Sequence, residues 1–401
     1  MHALPPASGK VRARWRRALA LAALLAAGCA GSLVDQDTPL GESCAAPLLR
    51  CPTGCCAATA VAAGGSSACA LAGGAVRCWG ANDLGQLGAS GGDSSLPVQA
   101  AGLTSGVSQV VVGGSHACAL VSGEVWCWGA NGQGQLGAAA STGSRAPAVG
   151  AALSGVAELA AGAAFTCART SSSVLCWGQD DAGQLGDGGG ASRSAPTTIA
   201  GVTSPRALAA GGRHACALGA EGLVCWGADE SGQAGNGKFA ANAVPGVAVQ
   251  ANQSPSFVGL GSDHGCVGFG SGALSCFGLD SSSQLGDRST QSRNQPSRIL
   301  SASALGVSAG RAHTCARLSG GGLRCWGTND SGQLGLGDTA PRDAPADLAL
   351  DSVEALSLGS DHSCALVATG GVRCWGKNDR GQLGAGSGVQ QSSAPLAVSG
   401  R

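Results

Sequence analysis

Five histidines stand two residues ahead of a cysteine: His116, His214, His264, His313 and His362 precede Cys118, Cys216, Cys266, Cys315 and Cys364. Imidazole and thiolate are side chains that zinc favours, so His-x-Cys raises a metal reading. Ser67 and Phe165 hold the same place ahead of Cys69 and Cys167, and Phe165 would leave its unit without a ligand. A group repeated at a fixed interval serves architecture better than it serves one asymmetric centre. The histidines are therefore expected to be structural, each imidazole bonded to a nearby backbone group, with no metal. Other chemistry is equally thin. The chain has no phosphate loop, no His-Glu-x-x-His and no nucleophile elbow, and Ser, His and Asp are spread too evenly to nominate a triad. Asp187-Gly188 and Asp338-Thr339 fall short of a calcium loop. The expectation is a protein that is not an enzyme and has no cofactor.

What positions these residues is a repeat. Cysteine pairs recur at Cys69/Cys78, Cys118/Cys127, Cys167/Cys176, Cys216/Cys225, Cys266/Cys276, Cys315/Cys325 and Cys364/Cys374, seven units whose first members are 49 or 50 residues apart. Five positions before each first cysteine stands a glycine, from Gly64 to Gly359, and after each second cysteine stands Trp-Gly, with Phe277 the one replacement. Gly-Gln-Leu-Gly follows, intact at 85–88, 134–137, 183–186, 332–335 and 381–384, but Gly-Gln-Ala-Gly at 232–235 and Ser-Gln-Leu-Gly at 283–286. Short apolar runs split by glycines are strand punctuation. In the second unit strands are expected over 107–112, 117–121, 124–128 and around 147–149, and nothing leaves room for a long helix. The fold class is therefore all-β, a seven-bladed β-propeller of four-stranded blades over 57–401. The tryptophans are read as inter-blade packing, and Gln86 through Gln382 as amides that pin loop backbone.

Hairpin geometry tests the cysteine spacing. If Gly73-Gly74 is a two-residue turn, Cys69 falls opposite Cys78 in a non-hydrogen-bonded pair, where Cα atoms lie about 4.5 Å apart. That is within the span of a disulfide. The additional residue in units five to seven is absorbed by a three-residue turn. Each bridge would close a ring of about ten residues, worth about 2 kcal/mol in the chain-entropy picture. Free buried thiols and metal sites are the competing readings of the same pairs.

Ahead of the repeats, residues 29–56 form a Cys-rich tether without apolar periodicity. Two bridges are expected among Cys44, Cys51, Cys55 and Cys56, with all three pairings open. Residues 1–28 carry Lys10, Arg12, Arg14, Arg16 and Arg17, then an apolar run from Ala18 to Ala27, the parts of a secretory signal peptide. The run is shorter than the roughly 20 residues a bilayer span needs. Ending on Leu25-Ala26-Ala27-Gly28-Cys29, it resembles the lipobox of bacterial lipoproteins. That resemblance implies acylation of Cys29, a lipid anchor in the membrane and a place in the bacterial cell envelope, facing periplasm or exterior. Nineteen cysteines in 401 residues also argue against a reducing cytosol, and 12% charged residues exclude a charge-driven disordered chain. The formal balance of 24 basic against 24 acidic residues hides an asymmetry, because loss of the leader leaves 19 against 24, or −5. A nucleic-acid partner, which needs a basic footprint, is not expected. A monomer is.

The unit Gly-x-x-His-x-Cys-Ala-Leu, Val-x-Cys-Trp-Gly-x-Asn, Gly-Gln-Leu-Gly, best seen at 113–137 and 359–384, resembles the regulator-of-chromosome-condensation repeat. The resemblance implies a seven-bladed propeller whose end loops bind proteins. Members of that family include a nuclear exchange factor for the GTPase Ran, a plant ultraviolet receptor and a secreted bacterial β-lactamase inhibitor. The leader, the cysteines and the acidic mature charge depart from the nuclear member.

Function is to be sought where the repeat breaks. Trp126 replaces the Arg77, Leu175 or Val224 of other units, and units four and five deviate most, with Lys238-Phe239 after the altered Gly-Gln-Ala-Gly and with Phe269. Exposed aromatics beside a cation are binding anchors, so Trp126, Lys238, Phe239 and Phe269 are the candidate partner-binding residues. The expected function is a non-enzymatic, lipid-anchored envelope scaffold that presents a loop face to a protein or cell-surface polymer. A secreted enzyme inhibitor or regulatory module is the alternative, and a guanine-nucleotide-exchange regulator ranks below it.

Overall fold

The computed structural model describes residues 44, 45, 48–138, 143–151, 153–386 and 388–400, so the leader at 1–28 and Cys29 lie outside the described residues. Seven four-stranded antiparallel sheets follow one another along the chain, the strands of each in sequence order. The second blade consists of Val107–Val112, His116–Val121, Glu124–Gly129 and Ser144–Val149. Its fourth strand begins ahead of the run expected around Pro147 because the register shifts between Ser144 and Ala148, and the bulge hides the strand's start from a period-two pattern. Among the described residues the one helical element is a single 3-10 turn, Ala251–Gln253, and no helix is long and apolar enough to cross a membrane.

Each blade is centred on its cystine hairpin. Ala72 pairs with Ala75 across Gly73-Gly74, whose φ angles of 58° and 75° suit the primed turn that joins twisted strands tightly. Cys69 therefore faces Cys78 and is bridged to it at a Cα separation of 4.0 Å. The other hairpins carry Cys118–Cys127, Cys167–Cys176, Cys216–Cys225, Cys266–Cys276, Cys315–Cys325 and Cys364–Cys374, all bridged at Cα separations of 4.0 to 4.1 Å. These fourteen cysteines are thus cystines, not free thiols or metal ligands. Their strands lie closer than the roughly 4.5 Å expected of an ordinary non-hydrogen-bonded pair, because the bridge draws them together. In the fifth blade Gly270-Ser271-Gly272 forms the longer turn, closed by the Phe269 N–H on the Ala273 carbonyl at 3.0 Å. Cys266 consequently still faces Cys276 despite the additional residue.

The core is one cluster per seam, and its composition explains the motif. In the first seam the Cys69–Cys78 cystine and Leu87 of blade one enclose Trp128 of blade two. The same triplet recurs around the ring, with Cys118, Cys127 and Leu136 against Trp177, and Cys167, Cys176 and Leu185 against Trp226. Cys266, Cys276 and Leu285 meet Trp326 in the same way, and Cys364, Cys374 and Leu383 meet Trp79. The cystine thus supplies packing volume as well as a crosslink, in strands otherwise built of Ala, Gly and Ser. The glutamine beside that leucine holds the loop. The Gln86 Oε1 accepts the Leu84 N–H at 2.8 Å, and the Gln382 Oε1 accepts that of Arg380 at 2.9 Å.

Blades one and seven are each built from contiguous sequence, so no strand is exchanged to close the ring. Closure uses the same seam contacts, with Trp79 Nε1 donating to the Gln382 carbonyl at 2.9 Å and the Ser360 N–H to the Gly65 carbonyl at 3.0 Å. A further piece is added there. The Cys-rich segment is a small hairpin, Leu49–Cys51 paired with Gly54–Cys56, stapled by Cys44–Cys55 and Cys51–Cys56. Leu49, Cys51 and Cys56 are buried in the cluster that joins Leu366, Val372 and Val398 of blade seven to Trp79 of blade one. The Cys44 N–H bonds the Gly400 carbonyl at 2.9 Å, and the Arg77 guanidinium bonds the Arg50 carbonyl. The described end of the segment that reads in sequence as a tether, Cys44 and residues 48–56, is packed as a clasp over the junction of first and last blades.

Candidate functional site

The seams are not equivalent. In six of them the indole N–H of one blade donates to the carbonyl of the preceding blade's glutamine, at 2.9 to 3.0 Å. Between blades four and five it is absent, because Phe277 has no donor. There the Cys216–Cys225 cystine packs on Phe277 with Ala234 where other seams bury a leucine, so both of these side chains are smaller than their counterparts.

The histidines belong to the same seams. His116 Nε2 meets Thr166 Oγ1 of the next blade at 2.9 Å, His264 meets Thr314 at 2.8 Å and His313 meets Ser363 at 2.9 Å. Those hydroxyls donate onward to the Gln135, Gln284 and Gln333 carbonyls, so each must accept from the imidazole, which fixes the proton on Nε2. The expected backbone partner is thus replaced by a neighbouring hydroxyl. A Cβ on Gly113 would lie 2.4 Å from the His116 ring, so the glycine three residues earlier is what admits the imidazole. At the fourth seam and at the closing seam the place of that hydroxyl is taken by Gly265 and Ala68, and neither His214 nor His362 has a nitrogen bonded. All five rings are fully buried, which holds their pKa down to about 3 or 4. Among the described residues no group of His, Cys, Asp and Glu could hold a metal.

Over this thin seam lies an open groove of about 620 Å³. One wall is the outer strand of blade four, Asn242–Gln250, the longest strand among the described residues, with the turn at Gln253. The other is the blade-five hairpin end at Phe269 and Ser271, with Gln295, Pro296 and Arg298 of the outer strand Arg293–Leu300. Of the four candidate residues, Phe269 lines the groove and is half-buried against the seam cluster. Lys238 and Phe239 follow Asn236 of its rim on an exposed loop, Phe239 being 54% exposed. Trp126 stands apart. It is partly buried against the seam between blades one and two, with its indole N–H on Glu124 at 3.3 Å. The sequence does not single out Arg298, Gln295, Gln253 or Val247, because outer strands repeat only a proline, Pro245 and Pro296 in these two blades, and fix no other residue type. The signal it does hold is the length of the fourth unit's last strand.

Blades three to five share another departure. Where Asn82, Asn329 and Asn378 donate their amides to loop carbonyls, these blades have Asp180, Asp229 and Asp280. Each Oδ1 accepts the N–H five residues on, at 2.8 to 2.9 Å, but each Oδ2 is buried without a partner. Burial pushes the Asp229 carboxyl up to about 6 and the other two upward as well. A raised carboxyl is stabilising below the ordinary carboxylate range, and that contribution is lost as pH rises through about 6. Asp229→Asn is therefore expected to raise stability at pH 7.5 by about 1 to 3 kcal/mol. The gain should close as pH falls toward about 4. Urea unfolding across that range measures it, and equal midpoints at pH 7.5 would contradict the assignment.

A family model described as RCC1-like domain matches residues 75–400. Among solved structures, yeast RCC1 (Prp20) bound to Kap60 is similar at 20% identity and a TM-score of 0.72, covering 80% of this chain and 83% of that one. Prp20p of Saccharomyces cerevisiae, described with its binding to Gsp1p and histones, is similar at 20% identity and 0.70, covering 80% and 85%. Human WBSCR16 follows at 22% and 0.69, covering 77% and 87%. At these identities the likeness is one of fold. No curated protein matches the chain in sequence.

Proposed function

We propose, from the premise that the chain belongs to the RCC1-like domain family, that it is a non-enzymatic binding propeller anchored by lipid at Cys29 and displayed in the bacterial cell envelope. The observation that carries the reading is the coincidence of the broken repeat, the missing seam bond and the groove at blades four and five. A propeller needs uniform seams only for stability, so an asymmetric one marks a surface with another use. Nine disulfides and the leader support export to an oxidising compartment. Relatives such as yeast Prp20 bind proteins, which supports binding as the class of activity.

Cys29→Ser is expected to abolish incorporation of an acyl-chain label and to release the protein from the membrane fraction. Equal labelling of both forms, or soluble protein from both, would sink the anchor. Crosslinking in the native envelope tests the binding: discrete captured material supports it, and a bare monomer under all conditions contradicts it.

A further inference from the structure

The groove's chemistry narrows its occupant. No aspartate or glutamate lines it, although the protein without its leader carries five more acids than bases. Arg298 lies in it exposed, its guanidinium with no hydrogen bond or ion pair among the described residues, and the Lys238 side chain beside the rim is likewise without an ion pair. Arg293 of the same strand is committed to Asp287, as Arg213 is to Asp181 and Arg311 to Asp361, whereas Arg288, Arg317 and Arg373, outside the groove, also lack an ion pair among the described residues. An unpaired guanidinium in an acid-free cleft is complementary to a carboxylate, which it can bind through two parallel hydrogen bonds. The remaining lining is not that of a dry protein hot spot, which seats a large side chain in an apolar pocket. It mixes one half-exposed aromatic ring, Phe269, and the aliphatic Val247 and Pro296 with the side-chain amides of Asn236, Gln253 and Gln295 and the hydroxyl of Ser271. Gln295 offers an amide donor and acceptor together, as vicinal sugar hydroxyls require, the Asn236 and Gln253 oxygens already accept the Lys238 and Gln250 N–H groups, and an aromatic face accepts the C–H face of a pyranose.

We propose that the groove between blades four and five binds a carboxylated polysaccharide, with Arg298 on a uronate carboxylate, Phe269 beneath a sugar ring and Lys238 adding long-range attraction. The inference rests on the reading of the chain as a binding propeller and names the class of its ligand.

Calorimetry on the intact protein with mannuronate hexamers tests it, against the same hexamers with carboxyls reduced to alcohols and against hexaglutamate. The mannuronate hexamer is expected to bind, with affinity falling at least about tenfold in Arg298→Ala and in Phe269→Ala. Arg145→Ala, whose guanidinium bonds carbonyls of blade one, should leave binding unchanged. The carboxyl-reduced hexamer should not bind. Absence of binding by the mannuronate hexamer, equal binding by its reduced form, or equal binding by hexaglutamate with the same dependence on Phe269 would each overturn the inference. If mannuronate fails while envelope crosslinking still captures a protein, the binding propeller stands and only the glycan class is lost.

Discussion

Made where its cysteines stay reduced, the chain is expected not to fold. Each blade bridge closes a ring of about ten residues and contributes about 2 kcal/mol by restricting the unfolded chain. Seven such rings together approach or exceed the roughly 5–15 kcal/mol by which domains are ordinarily stable. The strands between them are short, and much of their core is alanine, so few large apolar contacts remain to replace the crosslinks. Once formed, the bridges should resist reductant, because all fourteen blade cysteines are at most 1% exposed. Thiol counting reads both halves of this. Folded protein in dithiothreitol should release almost no thiols until denaturant is added, whereas protein made in a reducing cytosol should be unfolded or aggregated. A soluble, fully reduced protein with the same circular dichroism as the oxidised one would refute the claim that these bridges maintain the fold.

Acid should be the second severe challenge. The five buried imidazoles are held neutral, with pKa values lowered to about 3 or 4 by burial, while in the unfolded chain they titrate at their ordinary value. Between those values the unfolded state binds more protons, so stability falls as pH drops from about 6.5 toward about 4. By pH 5 each histidine costs about 1 to 2 kcal/mol, and the five together cost on the order of 5 to 10 kcal/mol. The raised carboxyls of Asp180, Asp229, Asp263 and Asp280 act in the opposite sense. They offset part of the loss. Urea unfolding at pH 7.5 and pH 5 should show the drop. His214→Phe and His362→Phe provide the control, since neither ring has a bonded nitrogen and Phe165 already occupies the same place in blade three. Each should be close to neutral at pH 7.5 and should lessen the acid sensitivity. Unchanged acid sensitivity in the double variant would contradict the mechanism.

The propeller is legible in the sequence because its signals are local. Strand length, the turn glycines and the cysteine spacing all concern residues within one hairpin, and hairpin geometry turns sequence separation directly into distance. The same argument that pairs Cys69 with Cys78 therefore pairs Cys167 with Cys176, Cys216 with Cys225 and, with a longer turn, Cys364 with Cys374. The division of labour between blades is not legible. Sequence shows that Cys69, Cys78, Leu87 and Trp128 recur, but only the seam shows that the first three enclose the fourth. Likewise the partner of His116 is a hydroxyl fifty residues away, whereas a backbone group nearby is the local expectation. The Cys-rich segment reads as a tether because it lacks periodicity. Its apolar residues are too few to form a stripe, and their burial depends on the first and last blades meeting. The candidate site is half-legible. Lys238, Phe239 and Phe269 stand out as departures from a repeat, while Arg298 lies on an outer strand where the repeat fixes only the proline, here Pro296. Trp126 departs as visibly and lies on a different seam, so departure alone does not mark the site.

The central claim is that binding occurs over the seam between blades four and five. A photo-crosslinking side chain at position 239, on the exposed loop beside the groove, can be compared in the native cells with one at position 305, similarly accessible in blade six, where Leu305 is 49% exposed. The account predicts capture from position 239, reduced by Arg298→Ala, and none from position 305. Equal capture from both positions, or capture from position 305 alone, would contradict it.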